Sequence, residues 1–220
     1  MKKNTYVITV ARQFGSLGRP IAKMVAEKLG IDYYDRDLVD QAAEKLKLPA
    51  STISMNEESA KASKGNPFLA MAYPFGQGVS GESVSKSSKS TNIQDKIFEA
   101  QKNIIHFLAE KDSCVIVGRC SDFILSDMEN AIHIYIYAPY EKRLKNSVEE
   151  LHLGEEEAKK MISEVDSARE AYHLHYAGYK PDDFRFKDLM IDSSLLGPEG
   201  TAELIADIAR KKLNVSKEEE

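Results

Sequence analysis

Residues 5–35 read as a strand, a glycine-containing turn, a helix and a second strand, and this unit narrows the possible folds more than any other stretch. Tyr6 to Ala11 (YVITVA) is β-rich, and RQFGSLGR follows it. After Pro20, the apolar residues Ile21, Met24, Val25 and Leu29 recur at helical spacing until Gly30 stops the helix. IDYYD, from Ile31, reads as a short strand. A strand–helix–strand crossover makes its two strands parallel and lays the helix over the sheet, so the sheet is covered rather than open to water.

The same alternation continues to the end of the chain. Residues 37–47 have a helical pattern that Pro49 ends. The stretch 50–91 is rich in Ser, Gly and Lys, with SKGNPF, YPFGQG and VSGESVSKSSKS. It has little to bury and is expected to be partly helical, with a mobile loop near 76–91. From Thr91 a helix of about 18 residues puts Ile93, Ile97, Ile104 and Leu108 on one face. CVIVG (114–118) and AIHIYIYAP (131–139) are apolar runs of the kind found in strands covered on both faces. EKRLKNSVEEL is helical, Gly154 interrupts it, and a longer helix follows with Met161, Val165, Ala168 and Tyr172 in a stripe. DLMIDSS gives a last strand, and Pro198 opens a final helix whose KEEE tail frays. The pattern predicts an α/β three-layer sandwich: a mostly parallel sheet with helices on both faces, in one domain spanning 1–220.

Composition removes several function classes. With 220 residues, 42% hydrophobic and 30% charged, folding buries roughly 70% of the chain's surface, so no disulfide or structural metal is required. The net charge of −5 argues against nucleic acid or an anionic membrane as partner. No apolar run reaches the ~18 residues that span a bilayer, and the N-terminus lacks the apolar core of a signal peptide. Cys114 and Cys120 are the two cysteines, with no Cys/His cluster around them, which argues against zinc and fits a reducing, cytoplasmic setting. A homo-oligomer is left open.

Four segments are candidates for chemistry. The turn Arg12, Gln13, Phe14, Gly15, Ser16, Leu17, Gly18, Arg19 aims backbone N–H groups and a positive helix end at one point, which suits a phosphate; the alternative is an ordinary tight turn. GRCSD (118–122) closes a buried strand and puts Arg119 where open α/β sheets bind ligands; the alternative is a surface arginine paired with Asp122. In YYDRDLV, Asp35, Arg36 and Asp37 crowd the end of the second strand, and Asp37 also suits a helix cap. In the helical pair 140–176, Lys142, Arg143, Lys159, Lys160 and Arg169 concentrate positive charge that can close over a phosphoryl group; the alternative is a solvated face with Asp166 and Arg169 paired. The histidines, His173 and His175 among them, have no metal-ligand spacing, and Tyr172, Tyr176 and Tyr179 read as core or hinge aromatics.

Taken in order, ITVARQFGSLGRPIAKMVAEKLG, YYDRDLV, VIVGRCSDFIL and DLMIDSSLLG resemble the cytidylate kinase-like proteins of the P-loop NTPase superfamily. The resemblance covers nearly the whole chain apart from the loop around 60–90. It implies a five-stranded sheet, a phosphate loop, an acceptor-binding flap at about 50–91 and an arginine-bearing lid at about 140–180. Gly15 matches the loop's middle glycine. Gly18 falls where a Walker A loop has lysine, Arg19 where it has Ser or Thr, and Leu17 replaces the preceding glycine. Arg19 carries charge in the lysine's stead, but it has no lone pair to offer a metal. Members of this group mostly read FGSGGR here.

The resemblance implies ATP-dependent phosphoryl transfer to a small phosphate-bearing acceptor, first a nucleoside monophosphate such as CMP. Arg12, Gly15, Ser16, Gly18 and Arg19 would hold donor phosphates. Asp35, Arg36 and Arg119 would hold the acceptor, and Arg19, Arg143 and Arg169 would act on the transferring group. Mg²⁺ would be held by the nucleotide, water and a carboxylate such as Asp35. Two other readings stay open: a nucleotide- or anion-binding regulatory module without turnover, and a kinase of a non-nucleotide small molecule.

Overall fold

The computed structural model describes residues 5–35 and 88–213. Its sheet contains β1 (Val7–Arg12), β2 (Asp32–Tyr34), β3 (Cys114–Val117), β4 (Ala131–Tyr137) and β5 (Leu189–Asp192). The helices are α1 (Gly18–Leu29), α2 (Ser88–Lys111), α3 (Ser121–Ile124), α4 (Tyr140–Glu149), α5 (Glu155–Ala177) and α6 (Gly197–Leu213), with a 3₁₀ turn at Phe184–Phe186. The strand order is β2-β3-β1-β4-β5, and every pairing is parallel. The expected helix 37–47, and the expected flap as far as residue 87, lie outside the described residues.

The apolar runs become the buried strands for the reason the sequence suggests: both of their faces are covered. On one face Ile8, Val10, Val117 and Ile134 pack against Ile21 and Val25 of α1 and Ile205 of α6. On the other, Val7, Cys114 and Ile116 meet Phe98 and Ile105 of α2 and Ile124 of α3. Each fully buried Val or Ile contributes about 1.5–3 kcal/mol. A third cluster joins Phe14, from the turn after β1, to Met161, Ile162 and Val165 of α5. That cluster is how a surface turn becomes fixed to the helical pair.

α2 begins at Ser88 and runs for 24 residues, longer than the sequence pattern suggested, because no Gly or Pro stands between Ser88 and Lys111. No helix among the described residues is long and apolar enough to cross a membrane.

Candidate active site

The turn after β1 is built around contacts that leave its amides facing outward. The Gln13 N–H donates to Ile136 O (3.0 Å) and the Phe14 N–H to Asp166 Oδ1 (2.7 Å). Gly15 has φ 74°, and a Cβ there would lie 2.5 Å from the Arg143 carbonyl oxygen, so the position requires glycine twice over. The Gly15 carbonyl accepts from Asn146 Nδ2 (2.8 Å). The Ser16 hydroxyl turns inward and donates to Gln13 O (2.9 Å). Leu17, with φ 57°, precedes α1 and gives it no side-chain cap. Among the described residues no acceptor meets the N–H groups of Ser16, Leu17 and Gly18. Open amides at the positive end of a helix make a concavity for an anion.

Beside this turn, Arg12 from the end of β1, Arg119 after β3 and Arg169 from α5 line one cleft. Gly118 has φ 78°, and a Cβ there would collide with Arg12 Nη1, so the missing side chain leaves room for that guanidinium. Arg169 Nη1 donates to the Arg12 carbonyl (3.1 Å) and lies 3.7 Å from Asp166 Oδ1. Arg119 and Cys120 also have positive φ, 60° and 53°. Left-handed backbone costs a non-glycine residue about 1–3 kcal/mol, so the packing around this turn must hold it there. Burial, and after it the like charge of Arg169, pushes the Arg12 guanidinium well below its ordinary range; Arg19 and Arg119 act in the same direction. No carboxylate among the described residues pairs with Arg12. A concentration of positive charge at the C-terminal ends of parallel strands calls for an anionic ligand.

The other sequence candidates fall into two groups. Arg19 Nε donates to Asp35 Oδ2 (2.7 Å), its Nη2 pairs with the same oxygen, and the Tyr33 hydroxyl is 3.4 Å from it. Arg19 and Asp35 thus tie the start of α1 to the end of β2. Arg36 lies outside the described residues. Arg143 is buried under the turn after β1: its Nη1 pairs with Asp166 Oδ2 and donates to Phe14 O (3.3 Å). The structure therefore brings Arg12, Arg119 and Arg169 to the cleft and sets Arg143 apart as a brace beneath the neighbouring turn. Lys159 pairs with Glu155 and Glu156 on an exposed face, and Lys160 with Glu164.

Two features of the region escaped the sequence reading. The Ser193 hydroxyl donates to Ser16 O (2.7 Å), which seats the loop after β5, with exposed Leu195 and Leu196, against the turn after β1. His173, Asp122 and Lys187 form a buried polar cluster, of which Asp122 and His173 line the cleft. No spacing signal marks either one, because each joins residues far apart in sequence.

The model of the cytidylate kinase-like family matches residues 7–195. The chain belongs to that family. A cytidylate kinase from Sulfolobus acidocaldarius is 25% identical over 128 residues, covering 56% of this chain and 70% of the relative. An uncharacterized protein from Eubacterium ventriosum ATCC 27560, solved as a crystal structure, is 25% identical with a TM-score of 0.64, covering 96% of this chain and all of that one. The fold is that of the P-loop NTPases, and family and fold together support phosphoryl transfer of the nucleotide-kinase type.

Kinases of this family generally use ATP with Mg²⁺. Among the described residues no three His, Cys, Asp or Glu side chains cluster to hold a metal ion. Asp35 is engaged by Arg19, the Ser16 hydroxyl points into its own turn, and Arg19 stands where the Walker pattern has a hydroxyl. The described residues do not fit a protein-held Mg²⁺ site.

Proposed function

We propose that the protein transfers the γ-phosphoryl group of ATP to the phosphate of a nucleoside monophosphate, with CMP as the first acceptor to test. One observation carries this reading: Arg12, Arg119 and Arg169 line a single cleft, beside a turn whose amides are open to a second anion. Two adjacent anion sites suit two phosphate-bearing substrates. In the reaction an acceptor phosphate oxygen attacks Pγ, the bond from Pγ to the β–γ bridging oxygen breaks, and ADP leaves with a nucleoside diphosphate.

In this reading the side chains position and neutralise, and no covalent intermediate is needed. Open amides at Ser16–Gly18 receive donor phosphates, and Leu195 and Leu196 offer an apolar surface for the donor base. Arg119 and Arg12 receive the acceptor phosphate by bidentate or paired contacts. Arg169 stands between the two and stabilises charge on the transferring group. Arg19 and Asp35 shape the acceptor side. Arg143 acts through Phe14 and Asp166, as a positioning residue.

A second reading has its own support. The loop offers neither lysine nor a free hydroxyl, and Arg19 is turned to Asp35. That suits a regulatory module which binds a nucleotide without turning it over. A coupled ADP-release assay with ATP and Mg²⁺, run across CMP, other nucleoside monophosphates and small phosphorylated or hydroxylated metabolites, separates the readings. Release that depends on CMP or another monophosphate supports the proposal. Release with a non-nucleotide acceptor alone replaces the acceptor class. Nucleotide binding without release under any acceptor supports the regulatory module.

A further inference from the structure

Asp122 is the meeting point of three chain segments. It sits in α3, three residues after Arg119, and is buried. Both its oxygens lie 3.0 Å from His173 Nε2 of α5. Lys187, whose side chain is completely shielded just before β5, pairs with Asp122 Oδ2. The Tyr179 hydroxyl donates to the same oxygen (3.3 Å). The other ring nitrogen of His173, Nδ1, is 2.8 Å from the Tyr179 carbonyl.

The protonation state follows from those partners. A carbonyl oxygen only accepts, and an ionised carboxylate only accepts, so each ring nitrogen must donate to its neighbour. A neutral imidazole has one N–H and would turn a lone pair toward one of the two acceptors. Asp122 is kept ionised independently of the ring: the Lys187 ammonium pairs with its Oδ2, and the carboxyl is held well below the usual carboxylate range in spite of its burial.

We propose that His173 is an imidazolium latch: clasped between Asp122 and the Tyr179 carbonyl, it fixes the helix that carries Arg169 against the short helix that follows Arg119. His173 is four residues after Arg169, one turn further along α5 on the same face. Asp122 is one turn after the strained pair Arg119 and Cys120. One hydrogen-bonded contact therefore sets where the two cleft arginines stand relative to each other. In this state the cluster also carries one net positive charge, from His173 and Lys187 against Asp122, and its members Asp122 and His173 line the cleft. Anion binding and protonation of His173 then reinforce each other by linkage. The inference rests on the kinase reading only for what the cleft binds. His173 is a positioning residue, not a catalytic one.

Other groups share this electrostatic environment. Asp122 acts on the Cys120 thiol, the Tyr179 hydroxyl and His133 of β4, Lys187 acts on Cys120 and His133, and Asp183 acts on Tyr179. Cys120 and Tyr179 are both held above their ordinary values, chiefly by burial, so neither loses its proton near neutrality. His133 is held below its ordinary value by burial, so its charge is lost early as pH rises. A pH effect of the latch must therefore be assigned to His173 by a site-specific signal.

The test is ¹⁵N-histidine NMR of the full chain between pH 6 and 9, with and without inorganic phosphate, alongside kinetics of His173→Gln. The latch predicts that both His173 nitrogens are protonated at pH 6.5 and that phosphate extends this state to higher pH. A neutral ring at pH 6.5, or a titration indifferent to phosphate, overturns it. Gln keeps one amide donor for Asp122 and removes the charge. His173→Gln is expected to raise the acceptor KM about tenfold, leave the donor KM unchanged and change the pH profile of acceptor kcat/KM. Equal losses for donor and acceptor with a lowered Tm, or an unchanged acceptor KM and pH profile, overturn the latch. If the wild-type protein turns over no acceptor, the kinase reading fails on its own. The latch is then read from the NMR signal and from hydrogen exchange over 166–177, where the variant is expected to exchange faster; equal exchange overturns it.

Discussion

The turns that leave β1 and β3 stand side by side, and in the proposed reading they make anion sites from opposite materials. Val10 pairs with Val117, and the Gly118 N–H donates to Val10 O (3.0 Å), so both turns leave the sheet at one level. After β1 the proposed binding groups are backbone amides, and the side chains of Asp166, Asn146 and Ser16 serve to hold the backbone in shape. After β3 the proposed binding group is a side chain, Arg119, and it stands within three consecutive residues of positive φ. An amide cradle needs a rigid frame and tolerates almost no added atom. A side-chain site needs an aimed arginine and a neighbour that holds the turn, here Asp122. Damage to the first turn is therefore expected as lost stability, and damage to the second as lost chemistry.

The largest expected effect on stability breaks the first turn. Gly15→Ala adds a Cβ 2.5 Å from the Arg143 carbonyl and forces alanine to φ 74°. Together these cost roughly 4 kcal/mol, visible as a large fall in Tm. A change below about 1 kcal/mol would mean that the turn is not packed against α4 as described. Next comes Arg143→Ala, which leaves Asp166 without its main partner and is expected to cost about 3 kcal/mol by denaturant unfolding. Arg169→Ala sharpens the contrast. It is expected to lower turnover about 100-fold and stability by less than about 1 kcal/mol. If Arg143 and Arg169 reverse these roles, the assignment of brace and clamp is wrong.

Acid separates the turns more gently. The Asp122 carboxyl is held below its unfolded value of about 3.9, so its contribution is fully present above about pH 4 and is lost as pH falls through the lower folded value. Tm measured between pH 2 and 5 should fall more steeply for the native protein than for Asp122→Asn/Lys187→Met. Parallel curves would remove Asp122 as an acid-sensitive anchor. The smallest expected effect is at the surface: Lys159→Ala should leave Tm and turnover unchanged, because its partners Glu155 and Glu156 are solvated. A measurable loss of turnover there would return the lysine to the site.

Much of the frame is legible in the sequence, because hydrophobic burial is a local code. CVIVG and AIHIYIYAP announce covered strands, and the Gly-containing turn before Ile21 announces a helix laid over them. The site is legible only in its backbone part. Gly15 and Gly118 are visible as glycines at the ends of strands. Arg143 and Arg169 look alike in sequence, as basic residues on a helical pair, and only the packing of α4 against α5 turns one beneath Phe14 and the other into the cleft. The pairing of Arg19 with Asp35 was within reach, since both flank one βαβ unit. His173 was not. Its partners are Asp122, 51 residues before it in α3, and the Tyr179 carbonyl, six residues after it beyond the end of α5, and a four-residue helix such as Ser121–Ile124 leaves no periodic trace.

Arg119→Ala tests the central claim most directly, with donor and acceptor measured apart. Donor affinity is read by titration with a non-hydrolysable ATP analogue, and acceptor-dependent turnover by ADP release. The account predicts turnover lowered at least ~100-fold, about 2.7 kcal/mol, with donor affinity unchanged, because the donor is held by the amides of the other turn. Equal loss of donor and acceptor binding would make Arg119 a structural ion-pair residue, and unchanged turnover would contradict the assignment of the arginine cleft to the acceptor phosphate.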